Sequence, residues 1–217
     1  MPAGSRYFRR KQILELVFVI FIFALSATIT PGPNNIMIMA SGLNFGVRKS
    51  FPHYLGICIG FPVMVVLVGL GFGLIFDAYP LIHEIIKVVG ILYLLYLAWL
   101  IANSAPKSLD STAPKPISFL QAVLFQWVNP KAWIMATGAV ATYTSTDADI
   151  YIQVLLIASA FFVVSFPCVG SWLVFGASLK KLLKSSLHQR LFNISMALLL
   201  VVSIAPIAYG LVGDYLD

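Results

Sequence analysis

Long apolar runs alternate with short polar segments along this chain. An α-helix needs about 20 consecutive apolar residues to cross the hydrocarbon core of a bilayer, and several of these runs reach that length. The six spans predicted from the runs are Ile13–Phe45, which contains a break, Tyr54–Phe76, Leu81–Asn103, Ile117–Tyr143, Ile150–Phe175 and Leu191–Leu211. The pattern therefore predicts an all-α integral membrane protein with six transmembrane helices.

The composition agrees with a membrane protein. Of the 217 residues, 60% are hydrophobic and only 10% are charged, and a soluble domain of this length could not hide so much apolar surface. The net charge of +6 lies in short clusters between the runs, which is typical of topology control and of contact with anionic lipid headgroups. The expected partner is thus the lipid bilayer and not nucleic acid.

Residues 1–12 form a basic N-terminal extension ahead of the first run. Cationic residues followed by an apolar stretch resemble a secretory signal peptide. Five further spans follow, however, and the first run continues beyond Pro33. We therefore interpret the first run as a retained helix.

Charges in the loops orient the six spans through the positive-inside rule. One side carries eight cations against one acid, Asp110, whereas the other carries five cations against seven acids. This predicts that the cation-rich side is cytoplasmic and that both termini are outside, although the basic extension argues against it. The eight cations are Arg48, Lys49, Lys107, Lys115, Lys180, Lys181, Lys184 and Arg190.

Two of the apolar runs are interrupted by proline. One straight helix over the first run would reach about 50 Å, well beyond a hydrocarbon core of about 30 Å. Proline lacks an N–H and clashes with the preceding turn, so breaks are predicted at Pro31–Pro33 and at Asn129–Pro130.

The two halves of the chain have related sequences. Ile38–Gly42 matches Ile134–Gly138 after each break, and Phe61-Pro62 matches Phe166-Pro167 further on. Three spans per half would give the second half the opposite polarity, which is an inverted repeat of the kind that many secondary transporters contain. The predicted organisation is a first three-helix repeat at 13–103, a linker at 104–116 and a second repeat at 117–217, with Pro62 and Pro167 as helix kinks.

The breaks predict a substrate site between the halves. Helix ends inside a membrane expose backbone groups that must face protein or a wet cavity. The helix start near Asn34 suits a carboxylate, and the carbonyls of the helix that ends near Thr30 suit an ammonium group. Together these groups would bind a zwitterionic amino acid. The predicted substrate-binding residues are Thr30, Pro31, Gly32, Pro33, Asn34, Asn35, Asn129, Pro130 and Lys131.

Lys131 is the only charged residue well inside a span. A charged residue at that depth is costly and marks a functional position by default. It could bind the substrate carboxylate, carry a proton, or have only a structural role. No acid lies at mid-depth to pair with a cationic side chain, so the expected substrate is neutral.

Several of these elements resemble one transporter family, LysE/RhtB, whose members are translocators. The similar segments are Thr30–Asn35 with Gly46-Val47-Arg48 and Gly56, Tyr93–Trp99, Asn129–Ala132, and Asn193 with Ala197–Leu200. The resemblance implies a multi-pass protein of the bacterial inner membrane that exports amino acids or their small derivatives, driven by protons, without enzymatic activity, cofactor or metal. Loop lengths and the lack of buried acids are most similar to the cysteine/O-acetylserine exporter branch.

Two other functions remain as alternatives. Cys58 and Cys168 lie in spans two and five and could form an intramembrane thiol–disulfide electron carrier, which would need their Cα atoms within about 7 Å. An uncoupled channel is the second alternative. The sequence leaves open whether the protein forms a homo-oligomer.

Overall fold

The computed structural model describes residues 3–72, 78–104, 115–145, 148–183 and 185–213, and these residues form seven α-helices with no strand among them. A π-helical turn, Val68–Phe72, continues the second helix, and a 3₁₀ turn, Gln126–Val128, follows the fourth. The all-α prediction is confirmed for this part of the chain. The helices are α1 (Ala3–Ile29), α2 (Pro33–Leu67), α3 (Pro80–Ala102), α4 (Phe119–Phe125), α5 (Pro130–Tyr143), α6 (Ile150–Leu182) and α7 (Ser186–Gly213).

Two helical segments of the described chain are long and apolar enough to cross a membrane, Pro33–Gly71 and Ile150–Leu179. Three shorter apolar helices accompany them, at Leu14–Ile29, Val88–Ala102 and Phe119–Val128. The count of six spans and the inverted repeat stay predictions. The predicted linker 104–116 lies largely outside the described residues, as do Lys107, Asp110 and Lys184.

Helix α2 differs from the prediction because helical structure, interrupted only at Gly46, occupies the loop that was expected between Phe45 and Tyr54. The chain turns at Gly46, whose φ of 78° and ψ of 170° interrupt the helical dihedral angles, and it resumes the helix at once. This conformation is open essentially only to glycine. The turn divides α2 into a short first part, residues 33–45, and a long second part that carries Arg48 and Lys49 near its start.

The end of α6 also differs from the prediction. The fifth span was expected to stop near Phe175 with Lys180 and Lys181 in a basic loop, but the helix continues to Leu182. The next helix, α7, begins at Ser186. Hydropathy alone does not distinguish basic residues in the last turn of a long helix from basic residues in a loop.

The pair α2 and α6 forms the centre of the molecule, with α1 packed on α6, α4 on α2, and α3 on α7. Gly42 of α2 and Gly176 of α6 allow the two backbones to touch, since a Cβ on either would collide with the backbone of the other helix. The main apolar core gathers side chains of α1, α2, α5 and α6 around Phe161. A second core, around Leu94, joins the first part of α2 to α3 and α7.

The outward faces of the helices are apolar. Phe18 of α1, Leu92 of α3 and Leu155 of α6 are all more than half exposed. A soluble protein rarely exposes such contiguous apolar surface, whereas lipid solvates it. The exposed faces are therefore consistent with a protein that lies in a bilayer.

Candidate functional site

Two helix starts meet at the candidate site, and each begins on a proline. Residues 30–32 separate α1 from α2, which starts at Pro33, and Asn129 alone separates the 3₁₀ turn from α5, which starts at Pro130. Proline suits the first position of a helix because the N–H that it lacks would have no partner within the helix. Both predicted breaks are thus confirmed to within a residue, and both helix starts direct positive dipole ends toward the cavity described below.

The carbonyls of the first break accept hydrogen bonds from side chains of other segments. Asn35 Nδ2 donates to the carbonyls of Thr28 and Thr30, each at 2.8 Å. Trp172 Nε1 of α6 donates to the Ile29 carbonyl at 3.1 Å. Because the last carbonyls of a helix have no partner within it, these donors, one local and one distant, stabilise a break that lipid would not tolerate.

Lys131 completes this arrangement from the other half of the chain. Its Nζ donates to the Thr30 carbonyl at 2.7 Å, to Thr30 Oγ1 at 2.8 Å and to the Pro31 carbonyl at 3.4 Å. The methylene chain of Lys131 lies over Gly32, where a Cβ would come within 2.6 Å of its Cδ. The Lys131 ammonium group therefore occupies the position that was predicted from the sequence for the ammonium group of a substrate.

The second break is satisfied by its own neighbours. Asn129 Oδ1 accepts from the Lys131 backbone N–H at 3.2 Å, which caps α5. Trp133 Nε1 donates to the Trp127 carbonyl at 2.8 Å across the same break. These two contacts are local, whereas the Lys131 and Trp172 contacts of the first break come from the second half of the chain.

A small cavity lies between the two helix starts. It offers about 30 Å³ to water, which is room for about two water molecules, and is too small for an amino acid in this conformation. No acidic side chain of the described residues lines it. Its walls are Ala27, Thr28, Gly32, Asn34, Asn35, Ile57, Phe61, Asn129, Lys131, Ala132, Met135, Ser165 and Val169.

Three polar residues at the site lie outside the predicted set. Gln126 is fully buried and forms a reciprocal amide pair with Asn34, with N···O distances of 2.9 and 3.2 Å. Thr28 and Ser165 line the cavity and are also buried. The available signal for Gln126 was a polar amide within an apolar run, one turn before the predicted break.

The structure brings most of the predicted site residues together. Gly32, Asn34, Asn35, Asn129 and Lys131 line the cavity, and Thr30 and Pro31 contact Lys131. By contrast, Pro33 and Pro130 begin the helices and do not line the cavity. Substrate binding by these residues stays a prediction.

The two predicted kinks lie inside helices. Pro62 is in α2 and Pro167 is in α6. Within α2 and its π-helical turn, the departures from helical dihedral angles occur at Gly46 and Gly71. A role for either proline in a conformational change stays a prediction.

The two cysteines, Cys58 and Cys168, are free thiols and both are buried. Cys58 belongs to a core cluster with Ile57 and Ala122, whereas Cys168 packs in the main core. Buried free cysteines usually pack as small apolar residues, and a thiol–disulfide role for this pair stays a prediction.

Comparison with known proteins identifies related translocators. Residues 25–208 match the family described as LysE type translocator. Proteins named cysteine/O-acetylserine efflux protein from Escherichia coli strain K12, Shigella sonnei and Shigella flexneri are each 29% identical to this chain over 196 residues. The alignment covers 89% of this chain and 98% of each relative. No solved structure matches the chain.

Proposed function

Because the chain belongs to the LysE type translocator family, we propose that it exports a small neutral amino acid, such as cysteine or O-acetylserine, in exchange for protons. Translocators of this family are multi-pass proteins of the bacterial inner membrane, and so is this chain. They move solutes and are not enzymes. The substrate names come from the efflux proteins that share 29% identity with it, and the proton comes from the family resemblance.

One observation carries the proposal, namely the contact of the Lys131 ammonium group with the carbonyls of Thr30 and Pro31. An amino acid carries an ammonium group that fits the same carbonyls and a carboxylate that fits a lysine. On binding, the substrate ammonium group would replace the Lys131 Nζ, and the freed lysine would bind the carboxylate. The Lys131 ammonium group would then replace its hydrogen bonds to carbonyls with hydrogen bonds to the substrate carboxylate, and the substrate ammonium group would bind the carbonyls. All of these are charge-assisted hydrogen bonds of similar strength.

The helix starts would assist the carboxylate. Both α2 and α5 begin beside the cavity, where first-turn N–H groups lack intrahelical partners and the helix dipole favours an anion. The polar walls contain amides and hydroxyls, and no acid of the described residues faces the cavity. A cationic substrate side chain would therefore be desolvated without a counter-charge, which favours a neutral substrate.

We also propose that the two halves form inverted repeats that rock around this site. The packing of the helices supports the proposal, because the first helix of each half packs on the central helix of the other half. In the first half α1 packs on α6, and in the second half α4 packs on α2. The central pair α2 and α6, and the pair α3 and α7, each contain one helix from each half. The small cavity would open to one side as the halves separate and to the other as they close.

Efflux from proteoliposomes tests the proposal. Vesicles loaded with radiolabelled cysteine, O-acetylserine or lysine would be compared for wild type, Lys131→Ala and Lys49→Ala, with and without an uncoupler. Lys49 is the matched control because it is exposed and does not line the cavity. We expect saturable, uncoupler-sensitive cysteine efflux that falls at least about tenfold in Lys131→Ala, since hydrogen bonds to charged groups contribute about 1.5–3 kcal/mol.

Other outcomes would contradict separate parts of the proposal. Unchanged efflux in Lys131→Ala would limit that lysine to a structural role. Efflux that neither saturates nor responds to the uncoupler would indicate a channel. If no amino acid moves, the thiol–disulfide alternative returns, and thiol–disulfide electron transfer that is lost in a Cys58→Ser/Cys168→Ser double variant would support it.

A further inference from the structure

A buried histidine near the Gly46 turn has no role in the substrate site. His53 lies in the second part of α2 and is fully buried. Its Nδ1 is 3.0 Å from the hydroxyl of Ser41, which lies in the first part of the same helix. Two residues twelve apart on a straight helix would be about 18 Å apart along the axis, so the turn at Gly46 creates this contact.

The other ring nitrogen of His53, Nε2, is buried and lacks a hydrogen-bond partner among the described residues. Within the same part of the chain, the hydroxyl of Ser50, three residues earlier on the same helix, has no partner either. A neutral imidazole has one donor and one acceptor nitrogen. Whichever tautomer is present, Nε2 therefore lacks a partner in this conformation, and buried polar atoms of this kind call for an explanation.

The hydroxyl of Ser41 connects His53 to a second cavity. This cavity has a volume of about 440 Å³ and lies between the first part of α2, the end of α3 and the segment that leads into α4. Ser41 and Asn44 of α2, Ser118 and Gln121 are polar residues in its wall. The volume is enough for several water molecules, so a proton donor is available on the far side of the Ser41 hydroxyl.

Few charged groups surround the pair. The described charges near this end are Arg48 and Lys49 of α2, which are exposed, Lys115, which lines the cavity, and Arg190 of α7, also exposed. The helix α6 carries no charged residue from Ile150 to Leu179, and its last turn contains Lys180 and Lys181. The remaining titratable neighbours are weak acids: Tyr96 of α3 in the cavity wall, and Tyr54 and Cys58 further along α2.

We propose that His53 is the proton-binding residue that couples export to the proton gradient, and that Ser41 connects it to the second cavity. This inference rests on the proposed function. In the tautomer that carries its hydrogen on Nε2, the Ser41 hydroxyl would donate its proton to Nδ1 and take up another from cavity water, after which both ring nitrogens are donors. Because Nε2 has no acceptor in this conformation, the protonated ring favours a different one, in which Nε2 reaches water or the hydroxyl of Ser50. If the proton binds more tightly to one conformation than to the other, protonation shifts the equilibrium toward that conformation by the difference in binding free energy.

Reconstituted protein distinguishes coupling from substrate binding. Proteoliposomes would carry wild type, His53→Gln, or His188→Gln, in which the replaced histidine is exposed at the start of α7. Two rates are measured with radiolabelled cysteine: exchange without a pH gradient, and net movement driven by a pH gradient. We expect the gradient to accelerate wild type and His188→Gln by about 5- to 150-fold, the usual range of coupling between sites. In His53→Gln the rate with the pH gradient should be about equal to the rate without it, while exchange remains measurable.

The outcomes separate this inference from the proposed function. The role of His53 would be overturned if His53→Gln keeps the full acceleration by the gradient. It would also be overturned if the variant loses both the acceleration and the exchange measured without a gradient. If His53→Gln does not fold, Ser41→Ala keeps the ring, and an unchanged pH profile of its gradient-driven rate would overturn the role equally. Exchange without acceleration in wild type would overturn proton coupling but not export. A wild type that moves no amino acid would overturn both.

Discussion

The two halves contain nearly the same five-residue sequence after each break, but the structure places the copies in different surroundings. Ile38 in the first copy is fully buried, whereas Ile134 in the second is 73% exposed. Gly42 touches the backbone of α6, whereas a Cβ at Gly138 would meet no atom within 4 Å. Similar local sequence therefore specifies a similar broken helix but not its environment, because burial depends on the neighbouring helices.

The two breaks also differ in the residues that stabilise them. Both have a local asparagine, Asn35 at the first and Asn129 at the second, but the carbonyls of the first also accept from the distant side chains of Lys131 and Trp172. A contact made over long range can be exchanged when the halves move, whereas a local cap moves with its helix. This difference explains why we assign the exchangeable ammonium position to the first break.

The largest stability difference is expected between Ile38→Ala and Ile134→Ala. Ile38 packs with Ile57, Val169 and Leu173 in a closed cluster, and truncation of a buried isoleucine costs about 2–5 kcal/mol. Lipid would fill the space left at Ile134, so its truncation should cost little. Thermal unfolding in detergent, followed by circular dichroism, measures the difference. Equal destabilisation by the two variants would mean that the second copy is covered by protein, for instance in an oligomer.

A smaller difference is expected between Gly42→Ala and Gly138→Ala. A methyl group at Gly42 would lie 2.9 Å from the Ala177 nitrogen and closer still to the Leu173 carbonyl. Backbone atoms cannot move aside as a side chain does, and overpacking of this kind costs about 1–3 kcal/mol. Gly138→Ala should be neutral or slightly stabilising, because alanine is the better helix former.

The same unfolding measurement tests the glycine pair, with Gly176→Ala as a second variant from the opposite side of the contact. It should resemble Gly42→Ala, since a Cβ there would collide with the Met39 carbonyl. If Gly42→Ala and Gly138→Ala have the same stability, then α2 and α6 do not pack backbone to backbone in the membrane.

Sequence alone located the broken helices well, for a physical reason. Pro33 and Pro130 cannot continue a helix but can begin one, so each break has a local cause. The helical path through residues 46–53 could not be predicted, because Arg48 and Lys49 are typical of a loop and the glycine conformation at Gly46 depends on the packing of the two parts of α2.

The candidate site was predicted only in part. Polar and charged residues inside apolar runs have few physical explanations, and this identified Asn34, Asn129 and Lys131. Their partners require the three-dimensional arrangement. Gln126 is 92 residues from Asn34 in the chain, and Ser41 meets His53 only because of the intervening turn.

The smallest predicted effect concerns the local cap of the second break. Asn129→Ala removes the oxygen that accepts from the Lys131 N–H, and loss of such a cap costs about 0.5–2 kcal/mol. The Lys131 ammonium group keeps its own partners, Thr30 and Pro31, so cysteine efflux should fall less than in Lys131→Ala. Asp149→Ala is the matched control, because Asp149 caps the exposed start of α6 and should lose similar stability with normal efflux. If Asn129→Ala abolishes efflux as Lys131→Ala is expected to do, while Asp149→Ala does not, the second break takes part directly in transport, and the two breaks are functionally equivalent after all.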